Sequence, residues 1–100
     1  MKRENAITIA ADGATVTTGA TTARVAIPNN SAGQKPLYIR VTAVAEAYVQ
    51  MGGSAVNATS NSVLVQPADS MVFSVGGHTH IAYIQGAAAT RVNIVPLEDF

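Results

Sequence analysis

The chain of 100 residues has no cysteine and no tryptophan, and only 12% of its positions are charged. Each shortage removes a class of function. Without cysteine there is no disulfide framework, no thiolate nucleophile and no thiolate metal ligand. Six Lys and Arg balance six Asp and Glu, leaving a formal net charge of zero with no basic run. Such a chain has no electrostatic footprint for a phosphate backbone, so nucleic acid is not an expected partner. A typical soluble protein carries about twice this fraction of charge. No apolar run approaches the length of a membrane span, and no membrane partner is expected. Met1-Lys2-Arg3 has the sign of a signal-peptide n-region, but Glu4-Asn5-Ala6-Ile7-Thr8-Ile9 supplies no apolar core after it. A cleaved signal is not expected.

Branched and small side chains fill the space left by charge. Valine, isoleucine and threonine occupy 29 positions against 3 leucines. Branching at Cβ costs rotamer freedom against a helical turn and suits a pleated surface, so strands are favoured. The 18 alanines are scattered among Val, Thr and Gly. They assemble no helical stripe, and small inward side chains let two sheets approach closely. One domain of this length can bury about 60–70% of the surface its unfolded form exposes.

Alternation and turn residues set out the strands. Residues 1–4 are polar and read as a loose lead, and Asn5–Ala10 reads as a first strand with Ile7 and Ile9 on one face. Asp12-Gly13 turns the chain into Ala14–Thr18. Ala23–Ile27 follows, with Ala23, Val25 and Ile27 inward and Arg24 outward, and Pro28–Gly33 forms a loop. Leu37–Ala43 carries the clearest period of two: Leu37, Ile39, Val41 and Ala43 face one way, Tyr38, Arg40 and Thr42 the other. Val41–Gln50 also fits helical spacing, but a turn at Ala45-Glu46 and a strand over Ala47–Met51 is the preferred reading. Val63–Val65 is a short strand ended by Pro67, which lacks the N–H a central ladder needs. Met71, Phe73 and Val75 share one strand face, His78–Gln85 forms the next strand, and Arg91–Val95 closes the fold with Val92 and Ile94 inward. Pro96–Phe100 reads as an exit. The rhythm predicts an all-β, antiparallel, jelly-roll-like sandwich of eight or nine short strands in a single domain over residues 1–100.

Few residues converge on chemistry. His78-Thr79-His80 is the one grouping that resembles a metal site, because i and i+2 side chains of a strand share a face. Zinc needs at least a third ligand, and the sequence offers only Asp69 nearby. Polar side chains after the Gly76-Gly77 turn are the plainer reading, so no metal and no cofactor is expected. Gly52-Gly53 and Gly76-Gly77 lack the Gly-Lys-Ser/Thr that completes a phosphate loop. The carboxylates Glu46, Asp69, Glu98 and Asp99 pair into no evident acid–base set, and no nucleophile elbow precedes a helix. The chain reads as a binding or structural protein rather than an enzyme, with no catalytic residue to name. Tyr38 and Arg40, on the polar face of their strand, and Tyr83 are candidate partner contacts. So are Ile7 and Ile9, because an alternating hairpin over Asn5–Thr18 could add to a neighbour's sheet edge or close the chain's own sandwich. The loop Pro28–Pro36 is a further candidate.

The later chain carries a resemblance. Tyr48-Val49-Gln50-Met51-Gly52, Val56-Asn57-Ala58-Thr59 and Ser62-Val63-Leu64-Val65-Gln66-Pro67-Ala68 come first. Met71-Val72-Phe73-Ser74-Val75, His80-Ile81-Ala82-Tyr83-Ile84 and Thr90-Arg91-Val92-Asn93-Ile94-Val95-Pro96 follow. This order is similar to the small β-sandwich proteins of tailed-bacteriophage virions that serve as capsid decoration (cement) proteins or as neck and tail-associated parts. The resemblance spans roughly residues 38–96 and is made of common β-residues; the N-terminal third does not align with it. It implies a virion location, self-association with a trimer favoured, and binding to a larger protein lattice such as a capsid or tail. It implies no catalytic residues. A carbohydrate- or receptor-binding module is the other class a small sandwich suggests, although sugar platforms normally use flat aromatics and tryptophan is absent here.

Overall fold

The computed structural model describes residues 13–30, 33–67 and 69–97. Among these residues eight strands form in chain order: β1 Ala14–Thr17, β2 Ala23–Ala26, β3 Tyr38–Ala43, β4 Ala47–Gly52, β5 Val63–Val65, β6 Ser70–Ser74, β7 His80–Gln85 and β8 Arg91–Leu97. No helix occurs among the described residues. The turn after Ala43 is real, and the helical alternative over Val41–Gln50 is not adopted.

The strands make two four-stranded sheets, ordered β1-β8-β3-β6 and β2-β7-β4-β5, with every neighbouring pair antiparallel. The pairings β4·β5, β3·β6, β2·β7 and β1·β8 are nested one inside the next. The chain is thus a long hairpin, bent at β4–β5, whose two arms are then rolled up together. The contacts β3·β8 and β4·β7 close the roll. This is a jelly roll, the fold class expected from the sequence.

Burial follows the alternation. Ile39, Val41 and Ala43 of β3 meet Val92 and Ile94 of β8 on the inner face of the first sheet. Ala47, Val49, Ile81 and Tyr83 line the inner face of the second. Ala43 and Ala47, either side of the β3–β4 turn, are 4% and 0% exposed, consistent with the close sheet approach that small side chains allow.

Several local expectations need correction. Leu37 lies outside β3 and is 69% exposed, because the strand begins only at Tyr38. Ala23 opens β2 opposite Tyr83 but is exposed, because β2 is an edge strand. The seventh strand begins at His80, since the turn that follows Gly76 consumes His78 and Thr79. Gly76 adopts φ +59, a conformation L side chains resist, and the His78 N–H donates to the Val75 carbonyl across it at 3.1 Å. Pro96 does not leave the sheet: it and Leu97 continue β8 and are buried. The register explains how proline is tolerated there. The Val75 N–H donates to the Leu37 carbonyl, so odd-numbered residues of β3 direct their backbone groups toward β6. Ile39, opposite Pro96, therefore asks no hydrogen bond of it. The strand expected over Asn5–Ala10 lies outside the described residues. Of the hairpin expected over Asn5–Thr18, Ala14–Thr17 pairs with the chain's own β8.

Candidate functional site

The two sheets present different outer faces. On the β2-β7-β4-β5 sheet, Arg24, Ala82 and Gln50 stand in one cross-strand row, and Ala26, His80 and Gly52 in the next. Ala82 is 0% exposed although it points away from the core. The β4–β5 connection accounts for this. A Cβ placed on Gly52 would lie 2.8 Å from the Val56 side chain, so Val56 sits directly over the outer face. Arg24 then holds the connection down, its Nε donating to the Val56 carbonyl at 2.6 Å and its Nη2 to Asn57 Oδ1 at 2.7 Å. The Ala58 N–H donates to Thr22 Oγ1 at 2.8 Å, and Ala58 is buried. One of the chain's few cations is thus spent on its own loop.

On the outer face of the β1-β8-β3-β6 sheet no described connection plays that part; the face is open at Thr15, Ser70 and Val72 but closed at Val95 and Leu97, which are 8% and 2% exposed. Its rows are Thr15–Asn93–Thr42–Ser70, then Val95–Arg40–Val72, then Leu97–Tyr38–Ser74. Asn93 Nδ2 donates to Thr15 Oγ1 at 3.1 Å, bracing the edge strand against the centre. Thr15, Thr42, Val44, Arg91 and Asn93 line an open depression on this side. Val72 and Val44 are 50% and 67% exposed. Hydroxyls, an amide and branched apolar groups dominate, with Arg40 and Arg91 as the only charged side chains in these rows and the depression.

The sequence candidates separate on this frame. Tyr38 and Arg40 stand half-buried on the open face, where alternation placed them. Tyr83 does not: it points between the sheets, is 8% exposed and belongs to the core, because odd positions of β7 face inward. Ile7 and Ile9 lie outside the described residues. In the Pro28–Pro36 loop, Asn30 Oδ1 accepts the Gln34 N–H at 3.0 Å and Pro36 is buried.

His78 and His80 do not act as a strand pair. His80 sits on the outer face of its sheet with Nδ1 2.8 Å from Thr79 Oγ1. His78, in the turn, lines a cleft between the sheets with Val49, Met51, Val63, Phe73 and Ile81. No group of three or more His, Cys, Asp or Glu among the described residues could hold a metal ion. The feature that sequence reading missed is the covered face, which depends on a loop whose composition signals only polarity.

Comparison of the chain with protein-family models, with curated proteins and with solved structures finds no match. Among the described residues no helix is long and apolar enough to cross a membrane.

Proposed function

We propose that this chain is a non-enzymatic structural protein of a tailed-bacteriophage virion, which self-associates and docks on a larger protein lattice as a capsid decoration or cement protein. The observation that carries the reading is the asymmetry of the two sheets. One outer face carries the chain's own β4–β5 connection over Ala82, and the other presents threonine, serine, asparagine and valine with Tyr38, Arg40 and Arg91 among them. Outside Arg40 and Arg91 this platform is uncharged, so most of it packs on a neighbour without burying unpaired charge. Jelly rolls recur in capsid proteins, an analogy at the level of fold. The resemblance over residues 38–96 points the same way. Three copies around a lattice axis are the favoured assembly.

The carbohydrate reading loses its footing on this surface. Tyr38 is on one outer face, Tyr48 on the other, and Tyr83 is internal, so the tyrosines build no common stacking platform. The test is to add the purified protein to expanded phage heads stripped of decoration and follow co-sedimentation. Saturable binding in a fixed ratio to lattice positions is the expected result. Failure to bind shells, with retention on immobilised glycans instead, overturns the proposal.

A further inference from the structure

We infer that the β6 edge is a self-recognition site, at which two copies of this chain pair antiparallel about a twofold axis through Val72. Among the described residues β6 has β3 as its sole strand neighbour, so its other side carries open backbone groups. Which groups these are follows from one hydrogen bond. The Val75 N–H donates to the Leu37 carbonyl, toward β3. Backbone direction alternates along an antiparallel strand, so Phe73 and Met71 also point toward β3. Ser70, Val72 and Ser74 therefore direct their N–H and C=O groups to the open edge.

A Val72-centred pair satisfies all of them. Val72 then faces Val72 of the second copy as a hydrogen-bonded pair, and Ser70 faces Ser74 on both sides of the axis. No outward donor or acceptor is left over in that register. The side chains match as well, because Ser-Met-Val-Phe-Ser has the same pattern of polarity and size read from either end. Met71 of one copy meets Phe73 of the other in a non-hydrogen-bonded pair, where side chains approach most closely and sulfur–aromatic contact is favourable. Both residues are only half-buried in the single chain, and Phe73 borders the cleft that also exposes Val63. The second copy would continue the core across this opening.

Of the three other edges, two are less suited, and β1 is a residue shorter than β6. β5 has three residues and runs into Pro67, a blunted edge. β2 carries Arg24, clamped to the β4–β5 connection. β6 has no charge, no proline and no glycine, so identical strands meet without repulsion. The contact is small beside the roughly 800 Å² per partner of a standard interface. Pairing is therefore weak in dilute solution and gains strength where copies are held at high local concentration. A threefold assembly uses two different patches on each copy, so this like-with-like contact is distinct from a trimer interface and does not depend on the virion reading.

The absence of native cysteine makes the test clean. Val72→Cys, Ser70→Cys, Ser74→Cys and, as a remote exposed control, Val44→Cys are prepared singly and oxidised as isolated protein, with folding checked by circular dichroism. Val72→Cys should form disulfide dimers at least tenfold faster than Val44→Cys, since facing Cα atoms at about 5.5 Å suit a disulfide. Ser70→Cys mixed with Ser74→Cys should give the hetero-dimer in preference to either homo-dimer. Val72→Lys should abolish the concentration-dependent self-association expected of the parent protein in sedimentation, and Gln50→Lys, exposed on the outer face of the other sheet, should leave it unchanged. Equal cross-linking of Val72→Cys and Val44→Cys, or no hetero-dimer preference, overturns the inference, whatever the protein does on a capsid.

Discussion

Thr18 and Thr90, 72 residues apart, hold one another through three hydrogen bonds. The Thr18 N–H and Thr18 Oγ1 both donate to the Thr90 carbonyl, at 2.8 and 3.2 Å, and the Thr90 N–H donates back to Thr18 Oγ1 at 2.9 Å. Thr90 Oγ1 in turn accepts the Ala45 N–H at 2.8 Å, so the ends of β1, β3 and β8 are tied at one point. Among the described residues these are the two buried polar side chains, at 3% and 7% exposure. Replacing Thr18 with valine keeps the shape and strands the Thr90 N–H. The expected loss is about 1–3 kcal/mol of unfolding free energy, measured by urea titration. Thr90→Val should cost a similar amount, and the double variant less than the sum, because the two sites share one network.

Two glycines should respond oppositely to alanine. A Cβ on Gly13 would overlap the Ile94 carbonyl oxygen, backbone that cannot step aside without shifting β8. Gly13→Ala is expected to lose roughly 2–3 kcal/mol. Gly53 has open space around its Cβ position and no positive φ, so Gly53→Ala is expected to be neutral or to gain up to about 1 kcal/mol by restricting the unfolded chain. Thermal midpoints of the two variants, on either side of the parent, are the measurement.

Sequence and structure agree best where burial is decided by neighbours along the strand. Ile39, Val41 and Ala43 could be read from alternation because their face is the core face throughout β3. Tyr83 could not, since both faces of β7 are buried and alternation loses its contrast there: Ala82 is as hidden as Ile81. Pro96 was unreadable for a related reason. Whether a strand tolerates proline depends on which neighbour its N–H would face, and that is set by a register 57 residues away, at Ile39. The open face was half legible: Tyr38 and Arg40 announce it, but nothing local says that the opposite face is covered.

That cover can be loosened. Arg24→Ala removes the donors to Val56 and Asn57, and the β4–β5 connection should lift from the sheet. Global stability should fall by no more than about 1.5 kcal/mol, because hydrogen bonds at an exposed site contribute little net. Amide exchange at Ala58, whose N–H is held by Thr22, should accelerate well beyond that small change. Unchanged exchange at Ala58 would show that Val56 packing alone holds the loop.

Docking through the sparsely charged platform should depend only mildly on salt. Between 50 and 300 mM salt, affinity for a stripped shell should change by less than about threefold, since few charges on the platform are available for screening. Thr42→Lys, in the middle of the Thr15–Asn93–Thr42–Ser70 row, should weaken shell binding at least tenfold by forcing a further unpaired cation beside Arg40 and Arg91 into the contact, while leaving the fold intact. A steep salt dependence of the parent protein would point to Arg40 and Arg91 as the main contacts.

The place of β8 also governs how the molecule comes to exist in time. It lies between β1 and β3, so the first sheet stays incomplete until β8 arrives, and β1 must wait for a partner far downstream, where Thr15 faces Asn93 at a separation of 78. Such long loops close slowly, and folding on the scale of milliseconds to seconds is the consequence. During synthesis the chain passes through a period in which β3 and β6 can pair and β1 cannot. Val41 and Ile39 are then open to other chains, so crowded nascent copies risk joining each other through the very strand that should receive β8.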